Sequence, residues 1–366
     1  MDFELSADQQ ALHDAARALL DGVAPPAVVR AHLDSGGGFD SALWSAMVSQ
    51  GWLGVAVPEP SGGLGLGWVE LSVLLEETGS HVTATPFLQQ VVALDVLSRT
   101  TPDAGDAAQE EAARWIPHLL DGGVIAAVPW REVQAEQSSD GSWTVSGRTE
   151  PAIFAPNATI ALVQACEGVF LVDLSHAGGP PRREPAMDLS RALGWLTFTS
   201  TPAVRIGDAH AALRLLDAGA VAHSCELLGS AGRLLDLSVA YAKDRHQFGQ
   251  PIGSFQAVKH RCADMLVDLE GMRSAARYAA WCLAANHPDR SVAACTAKAW
   301  CSDAGLRIAK SALQVHGGIG FTWESDVHFL LKRVQLDGVS FGDAAVHRTR
   351  LAGLLRDRVL AGAPVI

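Results

Sequence analysis

Cysteine is scarce in this chain, and it falls in no metal-binding pattern. Six cysteines occur among 366 residues, with no Cys-x-x-Cys pair and no His-Cys cluster at zinc spacing. Cys225, Cys262, Cys282, Cys295 and Cys301 lie in apolar helical patterns and read as small core residues, not as a disulfide framework. Positive charge is short as well. Lys and Arg number 28 against 40 Asp and Glu, a net charge of −12. That balance excludes nucleic acid and anionic membrane as natural partners. No uninterrupted apolar run reaches the roughly 18 residues of a membrane span. The start, Met1-Asp2-Phe3-Glu4, has neither the basic opening nor the apolar stretch of a signal peptide. A cytoplasmic protein is the expectation. Internal repeats and low-complexity tracts are also missing. What is present is a globular composition, 48% hydrophobic and 19% charged, long enough for two or three domains.

The pattern changes period twice along the chain. Residues 1–118 read as a helical domain. Ser6 followed by Gln9 is a capping box, and Leu12, Ala15, Ala16 and Leu19 then recur at helical spacing. Asp40 starts another helix that ends near Gly51-Trp52. Pro58-Glu59-Pro60-Ser61-Gly62-Gly63-Leu64-Gly65-Leu66-Gly67 resembles a phosphate loop. It lacks the Lys-Ser/Thr ending and the strand-loop-helix setting, and reads as a loop wrapping the domain. Glu76-Glu77-Thr78-Gly79 closes a helix, and Pro86-Phe87 opens the next.

Residues 119–207 read as a small β-domain. Its strand candidates are Val124–Val128, Trp143–Gly147, Ile160–Val163, Val169–Val172 and Trp195–Phe198. Residues 208–366 return to helix, capped at Asp208. Met265, Leu266, Leu269, Met272 and Ala276 share one face there. Four long helices suggest an antiparallel bundle. The fold class is therefore α+β, mainly α.

Two motifs in the last region carry chemistry. The first is Arg245-His246-Gln247-Phe248-Gly249-Gln250-Pro251-Ile252-Gly253-Ser254-Phe255-Gln256. A dinucleotide pyrophosphate must be neutralised and hydrogen-bonded once it leaves water, and Arg245 offers a planar fork of donors for it. Phe248 can cover a flat ring. Gly249 permits a tight turn, Pro251 delays the helix, and Ser254 reads as the N-cap of the helix carrying Gln256. The second motif is Gln314-Val315-His316-Gly317-Gly318-Ile319-Gly320-Phe321. Gln314 can bridge a phosphate or ring edge, and Gly317 and Gly318 let backbone N–H groups approach a ligand. Each motif alone also fits a charged helix end, a turn and a glycine cap.

Together the two motifs resemble the FAD-holding motifs of the acyl-CoA dehydrogenase family, and the resemblance extends over essentially the whole chain. Leu43-Trp44, Gly51-Trp52-Leu53-Gly54-Val55 and Glu76-Glu77-Thr78-Gly79 look like its N-terminal helical domain, and Asp188-Leu189-Ser190-Arg191 like a connecting segment of its middle domain. The resemblance implies a tetramer with a C-terminal four-helix bundle at its centre and FAD bound between subunits. By position, Arg245, Gln247, Phe248, Ile252, Gln256, Gln314, Gly317 and Gly318 would contact FAD. It also implies an acyl-CoA substrate and an electron-transfer flavoprotein as acceptor. No metal is implied.

Three departures bear on mechanism. The flavin-side loop of the β-domain, Thr-Glu-Pro with Gly-Ser-Asp in the family, is here Val128-Pro129-Trp130-Arg131-Glu132-Val133-Gln134-Ala135. The family's glutamate base precedes a glycine in a late loop; Phe341 stands there, before Gly342. Some members carry that base 26 residues before the motif arginine, and 245 − 26 = 219 is Gly219. Removing the α-proton of a thioester needs a positioned base, and neither residue is one. Asp343 and Glu226 are the carboxylates that could substitute; an N-cap and a buried or surface pair are their ordinary roles. His316 and His347 read as packing or hydrogen-bonding histidines.

The leading expectation is a FAD-contributing, catalytically incomplete subunit of a heteromeric acyl-CoA dehydrogenase, similar to the degenerate partner subunits of steroid side-chain dehydrogenases. Its partner would be a homologous acyl-CoA dehydrogenase subunit. The alternative is a self-sufficient homotetramer using Asp343 or Glu226 as base. A flavin-free scaffold would have no need of Arg245, Phe248, Gln256, Gln314 and the glycine pair together.

Overall fold

A computed structural model describes residues 4–100 and 105–362. Met1–Phe3, part of the leader reading above, lie outside the described residues. The chain divides into two compact units. One comprises Met1–Pro26, Ser72–Val82 and Ala220–Ile366; the other comprises Ala27–Leu71 and Thr83–Gly219.

The helices of the first third are α1 (Ala7–Val23), α2 (Pro26–Asp34), α3 (Ser41–Ser49), α4 (Trp68–Ser80), α5 (Phe87–Leu97) and α6 (Asp106–Leu120). Their starts are set by local chemistry. The Ser6 hydroxyl accepts from the Gln9 N–H at 3.2 Å while the Gln9 side chain accepts from the Ser6 N–H at 3.0 Å, the reciprocal box read from sequence. The Asp40 carboxylate caps α3 through the Ala42 and Leu43 N–H groups. The Pro58–Gly67 segment is a loop. It is stitched to its own stem, with the Leu64 N–H on the Gly54 carbonyl and the Gly65 N–H on the Val57 carbonyl.

The sheet lies in the second unit. Its strands are β1 (Ala126–Ala127), β2 (Gln134–Gln137), β3 (Trp143–Ile153), β4 (Ile160–Ala165), β5 (Gly168–Asp173) and β6 (Leu193–Gly207). They run in the order β1-β4-β5-β6-β3-β2. Among the described residues of this sheet, only β1 and β4 pair in parallel. Val145, Val163, Phe170, Val172, Leu196 and Phe198 form the core. Every expected strand is present. β2 was not anticipated, because Gln134-Ala135-Glu136-Gln137 shows no apolar alternation. It is an outer strand, and its hydrogen bonds to β3 define it.

Two polar clusters brace this unit. Buried Asp95 accepts both Arg214 donors at 2.7 and 2.9 Å, the Trp68 indole at 2.8 Å and Arg99 at 3.1 Å, so its charge is compensated where water cannot reach. In the Asp188–Arg191 segment, Asp188 accepts the Ser190 N–H at 2.9 Å and Arg191 reaches the Thr85 carbonyl at 3.1 Å.

The helical unit carries most of α7 (Ala209–Asp244), then α8 (Gln256–Ala284), α9 (Arg290–His316), α10 (Val327–Val339) and α11 (Ala344–Leu360). Asp208 caps α7 as read, accepting from the His210 and Ala211 N–H groups. The fourth long helical stretch is broken at residues 340–343, which gives α10 and α11. Both pack on α9. On α8, Met265, Leu269, Met272 and Ala276 are buried as expected, but Leu266 is exposed. The spacing 265, 269, 272, 276 holds one face, and residue 266 is about 100° away around the helix from residue 265.

Glycine permits a close helix crossing of α4 with α7. A Cβ on Gly229 of α7 would lie 1.7 Å from the Glu76 carbonyl oxygen, and one on Gly79 of α4 would lie 2.1 Å from that of Glu226. The two backbones therefore meet directly. This gives the Glu76-Glu77-Thr78-Gly79 run a packing role. Glu77 in turn takes Arg17 at 2.9 Å and His13 at 3.0 Å, fastening α1 to α4.

Candidate active site and cofactor surface

Both sequence motifs lie in the helical unit, and the fold brings them together. α7 ends one residue before Arg245. The chain then turns through a two-residue hairpin, β7 (His246–Gln247) against β8 (Gln250–Pro251). Its turn residues Phe248 and Gly249 have φ of 53° and 81°, the left-handed pair that such a hairpin needs. Phe248 is 91% exposed and meets Phe255 edge-on, at 6.1 Å between ring centroids. Ser254 is not the cap of α8. Phe255 holds that position without a side-chain bond, and the Ser254 hydroxyl donates to the Pro251 carbonyl at 2.7 Å. A short 3-10 turn at Ile252–Ser254 shifts the helix start by one residue.

The second motif begins on the last turn of α9. Gly317 ends that helix at φ 62°, ψ −141°, a conformation open essentially to glycine alone. The Tyr241 ring, one turn before Arg245, stacks on His316 at 4.6 Å. His316 Nδ1 is 2.8 Å from the Ala312 carbonyl, so it is the donor that fixes the ring. Tyr241 thus links the two motifs, and it was missed in the sequence because it precedes the motif by a helical turn.

The polar side chains at this surface keep their donors free. Arg245, Gln256 and Gln314 are exposed, and among the described residues their side chains have no hydrogen bond or ion pair. Cβ atoms built on Gly317 or Gly318 would meet nothing within 4 Å, so backbone N–H groups there can be approached. A guanidinium fork, two amides and bare backbone N–H groups beside an exposed ring are groups that could hold a dinucleotide.

The place of the family's base looks different. Phe341 sits between α10 and α11 at φ 55° and is 4% exposed. Lys298 of α9 donates to the Gly338 carbonyl at 2.9 Å, the Gly342 carbonyl at 3.0 Å and the Ser302 hydroxyl at 3.0 Å. His347 donates through Nε2 to the Phe341 carbonyl at 2.7 Å. The turn is therefore fastened from both sides, with its aromatic ring 5.5 Å from the His223 ring. His223 Nδ1 lies 3.2 Å from Asp337 Oδ1. Burial lowers the His223 pKa, against the opposing pull of Asp337, which favours the neutral ring.

The two substitute carboxylates are both engaged. Asp343 caps α11, accepting the Val346 N–H at 2.9 Å. Glu226 is 1% exposed at the α4–α7 crossing and accepts from Thr78 at 3.1 Å. Sequence reasoning reached Glu226 but passed over His223, which lies one helical turn after Gly219 on the same face. It also passed over Lys298, the lone cation in the run Ser291–Trp300.

Burial pushes the Lys298 pKa down from 10.5 to about 8. Between those values the unfolded chain binds a proton that the folded chain does not, so this group's contribution to stability rises with pH. It is fully present above 10.5 and lost as pH falls through about 8. The thermal midpoint of wild type relative to Lys298→Met should therefore improve from pH 7.5 to pH 10, within the range where both remain folded. Parallel profiles for the two proteins would contradict it.

The flavin-side loop of the sheet unit is tied to its own strands. The Trp130 and Arg131 N–H groups donate to the Glu150 carboxylate at 2.7 and 3.2 Å, and Gln164 donates to the Trp130 carbonyl.

Residues 6–123 match the family model for the acyl-CoA dehydrogenase N-terminal domain, and residues 209–355 match that for the C-terminal domain. The chain belongs to the acyl-CoA dehydrogenase family. It is 31% identical over 334 residues to acyl-CoA dehydrogenase IpdE2 of Mycolicibacterium smegmatis, covering 90% of this chain and 93% of that protein. A variant of the Tcur3481–Tcur3483 steroid ACAD shares its fold at a TM-score of 0.88, with 30% identity over 96% of this chain and 99% of the other. The ChsE4–ChsE5 complex from Mycobacterium tuberculosis also gives a TM-score of 0.88, at 28% identity over 100% of both chains. Like other acyl-CoA dehydrogenases, it is an FAD-dependent oxidoreductase acting on the CH–CH bond of an acyl-CoA. N-terminal helices, a middle sheet and C-terminal helices are the family's architecture. No helix among the described residues is long and apolar enough to cross a membrane.

Proposed function

We propose that this chain is the FAD-contributing, catalytically incomplete subunit of a heteromeric acyl-CoA dehydrogenase acting on a bulky acyl-CoA such as a steroid side chain. The observation that carries this reading is the fastened Phe341 turn. A phenyl ring has no ionisable atom, and the nearby carboxylates Asp343 and Glu226 are already committed to a helix cap and a helix crossing. The self-sufficient alternative needs one of them free.

Bound FAD supplies the acceptor for the hydride leaving the β-carbon. This chain's part is to hold it. Arg245 neutralises the diphosphate with its fork of donors. Phe248 covers a ring face, while Gln247, Gln256 and Gln314 donate or accept at ring and phosphate edges. Ile252 would pack against the cofactor, and Gly317 and Gly318 would offer backbone N–H groups. The α-proton must then go to a base on the homologous partner. Two similar solved structures support such pairing, being named for two chains each, one of them as a steroid ACAD. An electron-transfer flavoprotein is the natural acceptor for the reduced flavin.

Co-expression with a homologous, base-bearing subunit should yield a heterotetramer of two copies of each chain holding two FAD. Native mass spectrometry with flavin quantification reads this directly. A stable homotetramer of this chain with four FAD would sink the idea.

A further inference from the structure

The sheet unit holds a cavity that the FAD motifs do not use. It measures about 610 Å³ and is walled by α6, β2, β3, β5 and β6. That is within the range of small-molecule sites, roughly 300–1,000 Å³. One wall is apolar. Trp143 and Ala203 line it and pair across β3 and β6, and Leu171 and Val204 line it and pair across β5 and β6. Residues 203 and 205 share a strand face by the two-residue period. Arg205 belongs to the cavity lining beside Ala203.

Its guanidinium is the unusual member of the lining. Arg205 is largely covered, its Nε is shielded from water, and among the described residues its side chain has no hydrogen bond or ion pair. A buried donor left in that state calls for an acceptor. The cavity's own carboxylates do not fill the role. Asp173 is bonded by the Ser175 N–H at 2.9 Å and hydroxyl at 2.6 Å, and the cations acting on it are His176 and Arg114. Glu111 accepts from the Trp115 indole at 2.6 Å and pairs with Arg114 at 3.5 Å.

We propose that this cavity binds an amphiphilic organic carboxylate, its anionic head on Arg205 and its apolar body along Trp143. The site is independent of the FAD surface and of the missing base, so its fate does not decide the proposed function.

Isothermal titration of the full chain, co-purified with its partner where it needs one, tests this with octanoate, inorganic phosphate and coenzyme A. Wild type should bind octanoate saturably. Arg205→Gln should weaken that binding about tenfold or more, as loss of a charge-assisted bond does. Arg205→Lys should retain most of it, and flavin content should be the same in all three. Absent saturable binding, or equal binding by Arg205→Gln, overturns the proposal. Phosphate binding as tightly as octanoate removes the apolar half of it. Displacement of octanoate by coenzyme A assigns the cavity to the carrier's phosphates and overturns it as well.

Discussion

Purified by itself and supplied with FAD, this chain should oxidise acyl-CoA thioesters about 10²–10⁴-fold more slowly than the same chain co-expressed with a base-bearing homologue, the range that a positioned base contributes. The reason is local. On the proposed reading Phe341 stands at one base position and Gly219 at the other, and the Phe341 turn is fixed by Lys298 and His347. Fluctuation of that turn does not create a base, because no carboxylate is attached to it except Asp343, which caps α11. Assay with an artificial electron acceptor across short, medium, long and steroid-like thioesters reads the result. Robust turnover by the lone chain that disappears on Asp343→Asn or Glu226→Gln would favour self-sufficiency and name its base. Thermal midpoints of both variants, measured alongside, separate loss of a base from loss of the fold.

Arg245→Ala should strip flavin from the assembled enzyme. Losing a charge-assisted bond typically costs about 1.5–3 kcal/mol, a weakening of FAD affinity on the order of 10- to 100-fold. The side chain makes no bond within its own chain among the described residues, and it is exposed. Its removal should therefore leave the thermal stability of the apoprotein nearly unchanged. Flavin absorbance after gel filtration at limiting FAD is the measurement. Full flavin content in the variant would remove Arg245 from the site.

The candidate cofactor surface was legible because its residues act outward. Arg245, Gln256 and Gln314 keep donors free, and Phe248 stays exposed, so their chemistry could be read from residue type and spacing without knowing the packing. Helix starts were legible for the same reason, since Ser6, Asp40 and Asp208 satisfy N–H groups two or three residues away. Ser254 misled because its hydroxyl found the Pro251 carbonyl and left the capping position to Phe255. β2 escaped because an outer strand with exposed polar residues is defined by its neighbour's hydrogen bonds rather than by its own pattern.

A phenylalanine or a glycine cannot accept a proton in any fold, so the expectation of a missing base rested on the identities of Phe341 and Gly219 alone. Which groups surround that gap was a tertiary matter. His223 and Asp337 are 114 residues apart, and Lys298 reaches carbonyls 40 and 44 residues further on. Such contacts depend on how α7, α9 and α10 pack, and packing follows from summed burial over whole helix faces, not from any local signal. Gly79 and Gly229 show the same division. Each is a plain glycine in the sequence, and only the crossing of α4 with α7 makes the absence of a Cβ necessary there.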